Sequence, residues 1–330
     1  MVVYMKKKLG VLLCNIGTPD APTISAVRRY LKEFLSDRRV IETTPILWQP
    51  ILRLFILPFR PKKSASLYQK IWTEKGSPLL LHTLDIAEKL QSTLQQFDSD
   101  TLVTIGMRYG NPSIKSGLEL LQANGVKQIL VLPMFPQYSG TTTASTFDAV
   151  SDVLKSRRDI PDLRMIKHYF DNKSYIKTIR ESILEHWQEN GKKHLLFSFH
   201  GIPQRYADQG DPYAEQCKTT AERVAAELQL NETDWTLAFQ SRLGPTKWLT
   251  PYTDKILKSL PKKGIEHVHV VCPGFPVDCL ETLEEISIRG KEQFLGAGGK
   301  SFGYIPALNS TDMHITMLTE IIQKEIMGWD

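Results

Sequence analysis

Two side chains far apart in this sequence could together move protons and hold a divalent metal: His200 and Glu281. His200 closes the apolar run 194–199 and is followed by Gly201-Ile202-Pro203, which places an imidazole where a strand gives way to a loop. An unperturbed imidazole, with a pKa of about 6.5, can take up a proton near neutrality or ligate a metal. On position alone, His200 could equally well hydrogen-bond its own turn. Glu281 lies in Asp278-Cys279-Leu280-Glu281-Thr282-Leu283-Glu284-Glu285, a helical pattern that follows the loop Pro273-Gly274-Phe275-Pro276. Residues Glu281 and Glu285 share a helix face at this spacing. Asp278-x-x-Glu281 also fits a capping box, in which the glutamate reaches back to a backbone N–H. Capping would account for Asp278 but not for a second glutamate one turn later. Carboxylate with imidazole suits a divalent metal held loosely enough to be handed on.

Other candidates carry less. His267 and His269 share one face of a strand, where an exposed face outweighs a metal pair. Gly296-Ala297-Gly298-Gly299-Lys300 looks like a phosphate loop, but it ends a helix and precedes a strand, the reverse of the order phosphate loops need. It reads as a helix C-cap and turn. Gly17-Thr18-Pro19 lacks the further glycines of a dinucleotide fingerprint.

The elements that must position these residues repeat. Short apolar runs near 9–16, 101–106, 128–133, 163–168, 194–199, 235–240, 267–272 and 301–305 predict strands. Amphipathic stretches at 24–35, 82–96, 113–124, 145–156, 174–189, 214–228, 251–259, 280–294 and 312–327 predict helices. Alternation of β and α implies parallel sheets covered on both faces, and the length suits two doubly wound domains of about four strands each. The boundary is expected between the helix at 145–156 and the strand at 163. In such sheets ligands sit beyond the carboxyl ends of the strands. There this sequence carries Arg108-Tyr109, Phe135-Pro136-Gln137-Tyr138-Ser139, His200, Ser241-Arg242-Leu243-Gly244-Pro245 and the Pro273–Glu281 segment.

Composition narrows the class. The chain has 330 residues, 42% hydrophobic and 23% charged, which is ordinary for a globular protein, and no apolar run reaches transmembrane length. The net charge of +5 is spread thinly. Lys6-Lys7-Lys8 and Arg60-Pro61-Lys62-Lys63 are the longest basic clusters, and no nucleic-acid motif accompanies them, so no nucleic-acid partner is expected. Cys14, Cys217, Cys272 and Cys279 form no metal or disulfide framework and suit a reducing compartment. The apolar run after Lys8 is too short for a signal peptide and reads as a strand, which predicts a cytoplasmic protein. One segment breaks the pattern. Residues 45–59 are strongly apolar, interrupted by Pro50 and Pro58, and followed by Arg60, Lys62 and Lys63. They read either as a core helix kinked at Pro50 or as an exposed lip around a flat apolar ligand, with membrane contact through 45–63 open to it.

Together, Ser198-Phe199-His200-Gly201-Ile202-Pro203, Gln240-Ser241-Arg242-Leu243-Gly244-Pro245 with Trp248-Leu249, and Cys272-Pro273-Gly274-Phe275 through Glu285 resemble the signatures of the ferrochelatases. Asn15-Ile16-Gly17-Thr18-Pro19 and Pro136-Gln137-Tyr138-Ser139 extend the resemblance, in order, over nearly the whole chain. The resemblance implies two Rossmann-like domains of the type II chelatase kind. The first would span 1–160 and take back a C-terminal helix at 310–330; the second would span 161–309, with a porphyrin cleft between them. It implies that His200 and Glu281 are the central pair, catalytic and metal-binding, with Asp278 and Glu285 in an acidic path behind. It maps Ile16, Arg60, Tyr68, Arg108, Tyr138, Trp248 and Phe275 to porphyrin-binding positions. Ile16 stands where some members carry Met or Tyr, and Cys279 where others carry His. The end at Met327-Gly328-Trp329-Asp330 lacks the cysteine-bearing extension that holds an iron–sulfur cluster in some members.

The implied activity is insertion of Fe2+ into protoporphyrin IX to form protohaem. Fe2+ is then a substrate, no cofactor is required, and no iron–sulfur cluster is expected. A transient contact with the preceding pathway enzyme also belongs to this expectation. Rival readings are a chelatase for another tetrapyrrole (coproporphyrin, sirohydrochlorin) or another metal, and a non-catalytic haem or metal binder.

Overall fold

The computed structural model describes residues 8–244 and 246–329, so Lys6 and Lys7 of the basic cluster and Pro245 of the motif after the sixth strand lie outside the described residues. The chain divides into two compact units, each with its own parallel four-stranded sheet.

The first unit holds β1 (Leu9–Thr18), β2 (Leu102–Gly110), β3 (Gln128–Pro133) and β4 (Asp162–Met165) in the order β2-β1-β3-β4. Its helices are α1 (Ile24–Phe34), α2 (Pro45–Ile51), α3 (Arg60–Ile71), α4 (Pro78–Leu94), α5 (Ile114–Ala123), α6 (Ser145–Lys155) and the C-terminal α12 (Asp312–Ile326), which packs on α4. The second unit holds β5 (His194–His200), β6 (Trp235–Gln240), β7 (His267–Val271) and β8 (Ser301–Tyr304) in the order β6-β5-β7-β8. With them come α7 (Lys173–Asn190), α8 (Gln204–Asp208), α9 (Tyr213–Glu227), α10 (Thr253–Ser259) and α11 (Lys291–Gly296). Central strands covered on both faces, such as β1, β3 and β5, read as nearly unbroken apolar runs, which makes them visible in the sequence. Leu12, Val131 and Leu118 centre one core, and Leu196, Val270 and Phe294 the other.

The division between the units corrects the expected one. Strand β4 pairs with β3, Gln128 to Asp162 through Val131 to Met165, so the first unit runs on to His168 instead of stopping at 160. Apolar periodicity marks a strand but not the sheet it joins. Conversely, Phe135–Ser139 belongs to the second unit. There Gln137 Nε2 donates to Thr220 Oγ1 (3.0 Å), and Tyr138 N to Gln216 Oε1 (2.7 Å).

The 45–59 segment is helical yet is not a core helix. A π-helical turn, Leu52–Ile56, follows α2, and Ile46 is 82% exposed and Phe59 73% exposed, with Leu47, Leu54 and Phe55 similarly open. Its ends are tied down by Trp48 Nε1 donating to Leu35 O (2.6 Å) and Arg28 Nε to Leu57 O (3.2 Å).

His269 also departs from expectation. It is buried, its ring meeting His186 of α7 edge-on with centroids 4.5 Å apart, and it has room only because Gly303 faces it across the sheet. Burial, then the neighbouring His186 and Lys193, lower its pKa from 6.5 to about 4. The unfolded chain protonates this imidazole near pH 6.5 and the folded chain only near 4, so between them the unfolded state binds more protons. Stability present above pH 6.5 is therefore lost as pH falls towards 4, by up to about 3 kcal/mol. Urea midpoints across that window should fall for the wild type and fall less for His269→Gln; parallel curves would contradict the assignment.

Candidate active site

In the second unit the chain leaves β5 towards β6 on one side and β7 towards β8 on the other, although β5 and β7 are neighbours. Loops that diverge in this way leave a crevice above the strand ends, the usual ligand position in such sheets. His200 ends β5, and Cys272–Glu281 follows β7.

His200 is partly exposed, and its Nδ1 lies 2.6 Å from Gly201 O. A carbonyl only accepts, so Nδ1 carries the hydrogen and the neutral ring keeps its lone pair on Nε2. The Phe275 ring stands 6.3 Å away, centroid to centroid, at 54°. The turn itself is fixed by Gly201 N donating to Gln240 O (2.8 Å) and Leu249 N to Ile202 O (3.0 Å). A Cβ on Gly201 would come within 3.0 Å of Gln240 O and 3.3 Å of the Trp248 ring. Trp248 is held in turn by its Nε1–H on Leu243 O (2.8 Å).

Glu281 opens a π-helical segment, Glu281–Gly290, where the sequence predicts an α-helix. Such segments are rare and concentrate at functional sites. The capping box does not form. Asp278 N, which the box would give to the Glu281 carboxylate, donates instead to Asn309 Oδ1 (2.8 Å), while Thr282 Oγ1 accepts from Cys279 N (3.0 Å) and donates to Asp278 Oδ1 (2.8 Å). Gln240 Nε2 instead holds the Glu281 carbonyl (2.9 Å), while its Oε1 accepts from Ser198 Oγ (2.6 Å). The Glu281 carboxylate lies beside the buried Cys279 thiol, whose pKa burial, then this charge, push well up.

The other acids of the segment are engaged. Asp278, expected in an acidic path, is 6% exposed. It accepts from Thr282 and Tyr304 on one oxygen and from Asn309 (2.7 Å) on the other, so it ties the loop to 304–309. Glu284 is buried against Arg289 (2.9 Å). Glu285 accepts from both Ser241 N (2.9 Å) and Ser241 Oγ, an arrangement that holds Ser241 at φ +66°, a conformation few residues other than glycine adopt. Among the described residues, Glu281 is left with neither a cationic partner nor a backbone donor on its carboxylate. No group of three or more His, Cys, Asp or Glu among the described residues forms a cage for a metal.

The remaining candidates divide. Phe275, Trp248 and Tyr138 are partly exposed in the second unit. In the first, Ile16 is half-buried near the end of β1, and Tyr68 is buried edge-on to Trp72. Arg60 opens α3 half-buried and without an ion pair among the described residues, and burial pulls its pKa below the usual guanidinium value. Arg108, which the resemblance maps to a porphyrin-binding position, is bonded within the first unit. Its Nε donates to Ser145 O and Oγ and its Nη2 to Asp37 Oδ2 (2.5 Å), with Tyr109 Oη on the same carboxylate (2.7 Å). Burial works to raise the Asp37 pKa, but hydrogen bonds from Ser145 and Tyr109 hold it low, so this is a closed structural knot. Sequence reading missed Gln240 as a support. Its signal was a polar residue ending an apolar strand, inside a motif already singled out.

A sequence profile of the ferrochelatases matches residues 8–326. The chain belongs to the ferrochelatase family. Ferrochelatase 1 of Shewanella oneidensis is 52% identical over 322 residues, covering 97% of this chain and 96% of that one. The ferrochelatase of Methylococcus capsulatus is 51% identical over 317 residues, covering 96% of each. Among solved structures, SirB from Bacillus subtilis with Fe3+ superposes with a TM-score of 0.56 at 10% identity, covering 98% of this chain and 97% of that one. CbiX of denitrifying bacteria gives 0.53 at 12% identity, covering 96% and 98%. At that identity the likeness is one of fold, and this ferrochelatase shares the two-sheet α/β fold of the type II chelatases.

Proposed function

We propose that this ferrochelatase inserts ferrous iron into protoporphyrin IX to form protohaem, the terminal step of haem synthesis. The observation that carries the reading is identity near one half to curated ferrochelatases along essentially the whole chain. Insertion removes two pyrrole protons as one Fe2+ enters, so the site needs a proton acceptor, a carrier for the ion and a wall that bends the ring. His200 accepts the two pyrrole protons one after the other at Nε2, releasing each to solvent from its partly exposed position, and the imidazolium is stabilised as its Nδ1–H tightens on Gly201 O. The Glu281 carboxylate, with no other cation to satisfy, hands over the ion, and Glu285 stands behind it on the same π-helical segment. Phe275 and Trp248 supply apolar wall, at a strain cost of ~1–5 kcal/mol in the bent ring. Arg60, half-buried and unpaired among the described residues, suits a propionate.

The reading includes activity without a resident cofactor or iron–sulfur cluster. Support comes from the four thiols, all buried and all with pKa values raised by burial. It also includes a cytoplasmic protein that touches a membrane surface peripherally. No helix among the described residues is long and apolar enough to cross a membrane. The open side chains of Ile46, Leu47, Leu54, Phe55 and Phe59, with Arg53, Lys62 and Lys63 nearby in the chain, favour an anionic surface. Sedimentation with anionic vesicles should carry the wild type down and leave Phe55→Ser/Phe59→Ser in solution; equal recovery would contradict the contact. The same lip could receive the preceding pathway enzyme.

Rates compared across protoporphyrin, coproporphyrin and sirohydrochlorin, each with Fe2+ and Co2+, test the substrate assignment. The highest kcat/KM is expected for protoporphyrin with Fe2+. A preference for another ring or for Co2+ would overturn it.

A further inference from the structure

We propose that Tyr175 is a positioning residue that stiffens the Phe275 wall from behind, so that the bound porphyrin bends and the wall does not give. The inference rests on the reading above, in which Phe275 faces the macrocycle. Tyr175 lies in the first turn of α7 and is 1% exposed, among Ile176, Ile179 and Ile183 on the buried side of that helix. Its ring packs edge-on against Tyr169, with centroids 5.5 Å apart. Phenylalanine would fill such a place equally well, and a buried hydroxyl is costly unless it is bonded. This one donates to the carbonyl of Pro273 (2.7 Å), two residues before Phe275, and also bonds the Gln137 side chain, and burial raises the phenol pKa well above 10, which keeps it a donor.

The rest of the loop is fixed residue by residue, and this makes the Tyr175 contact a mechanical one. Phe275 N donates to Cys272 O (3.0 Å), and Pro276 O accepts from Asn309 N (2.9 Å). Gly274 has no slack: a Cβ there would lie 3.3 Å from Phe199 Cδ1 and 3.4 Å from Gln137 Oε1. Within this clamp the Phe275 ring is left partly exposed, near His200. Insertion speeds up only if the ring bends, and a wall on a softened loop yields part of that bend. The Pro273 carbonyl bond ties α7 to this loop through a side-chain donor.

Tyr175→Phe is the test, with turnover, porphyrin KM and the resonance Raman out-of-plane bands of bound porphyrin as readouts. Loss of the bond to Pro273 O, together with the one to Gln137, should lower kcat up to about tenfold and weaken those bands, with KM for porphyrin within about twofold. Tyr169→Phe is the control. It removes a buried hydroxyl that has no hydrogen-bond partner and should turn over like the wild type. Gly274→Ala disturbs the wall from the β5 side without touching α7, and should lower kcat in the same way even if Tyr175→Phe folds poorly. Unchanged kcat and unchanged bands in a folded Tyr175→Phe or Gly274→Ala would overturn the proposal. So would a kcat loss that Tyr169→Phe shares. A wild type that makes no haem would instead overturn the functional reading beneath it.

Discussion

Glu281→Gln should fold normally and lose iron insertion, with kcat down by at least about a hundredfold. The substitution is nearly isosteric and removes only the negative charge. The backbone at this position does not depend on that charge, because Gln240 holds the Glu281 carbonyl and Thr282 satisfies Cys279 N. Capping therefore gives no reason for the carboxylate, and chemistry does. Asp278, Glu284 and Glu285 cannot replace it, since each is already bonded to Thr282, Tyr304 and Asn309, to Arg289, or to Ser241. Steady-state haem formation, with circular dichroism as a fold control, measures the effect. Normal turnover by folded Glu281→Gln would remove the residue from the mechanism.

His200→Ala should be comparably damaging, by about a hundredfold or more in kcat, and partly rescued by added imidazole. The turn survives because its ties are backbone ones, Gly201 N to Gln240 O and Leu249 N to Ile202 O. What is lost is the one ring nitrogen with a free lone pair beside the Phe275 wall. Retained activity, or a loss that imidazole does not touch in a folded variant, would assign the proton to another group.

The fold was largely legible because central parallel strands buried on both faces, such as β1, β3 and β5, must be apolar along their length. Sheet membership was not legible. Strand β4 looks the same whether it pairs with β3 or with a strand of the second unit, and only the Gln128–Asp162 register decides. In the candidate site, what was legible is position: His200 at a strand end and Glu281 after a Pro-Gly-Phe-Pro loop. What was not legible is which other groups claim a side chain. Arg108 and Asp278 have the right chemistry, but Asp37 and Ser145 hold one and Thr282, Tyr304 and Asn309 the other. The π-helical hydrogen bonding of 281–290 leaves no mark in a pattern that an α-helix fits equally well. His269 looked exposed because the strand pattern does not reveal that α7 brings His186 against it.

The most direct measurement is a count of products per enzyme molecule. Purified protein is mixed anaerobically with excess protoporphyrin IX and Fe2+, and protohaem is followed by its absorbance. Haem should accumulate to many equivalents of the protein at a steady rate, and that rate should vanish in the double variant His200→Ala/Glu281→Gln. A plateau at one equivalent would make this chain a binder of haem or iron, and undiminished turnover in the double variant would place the chemistry elsewhere.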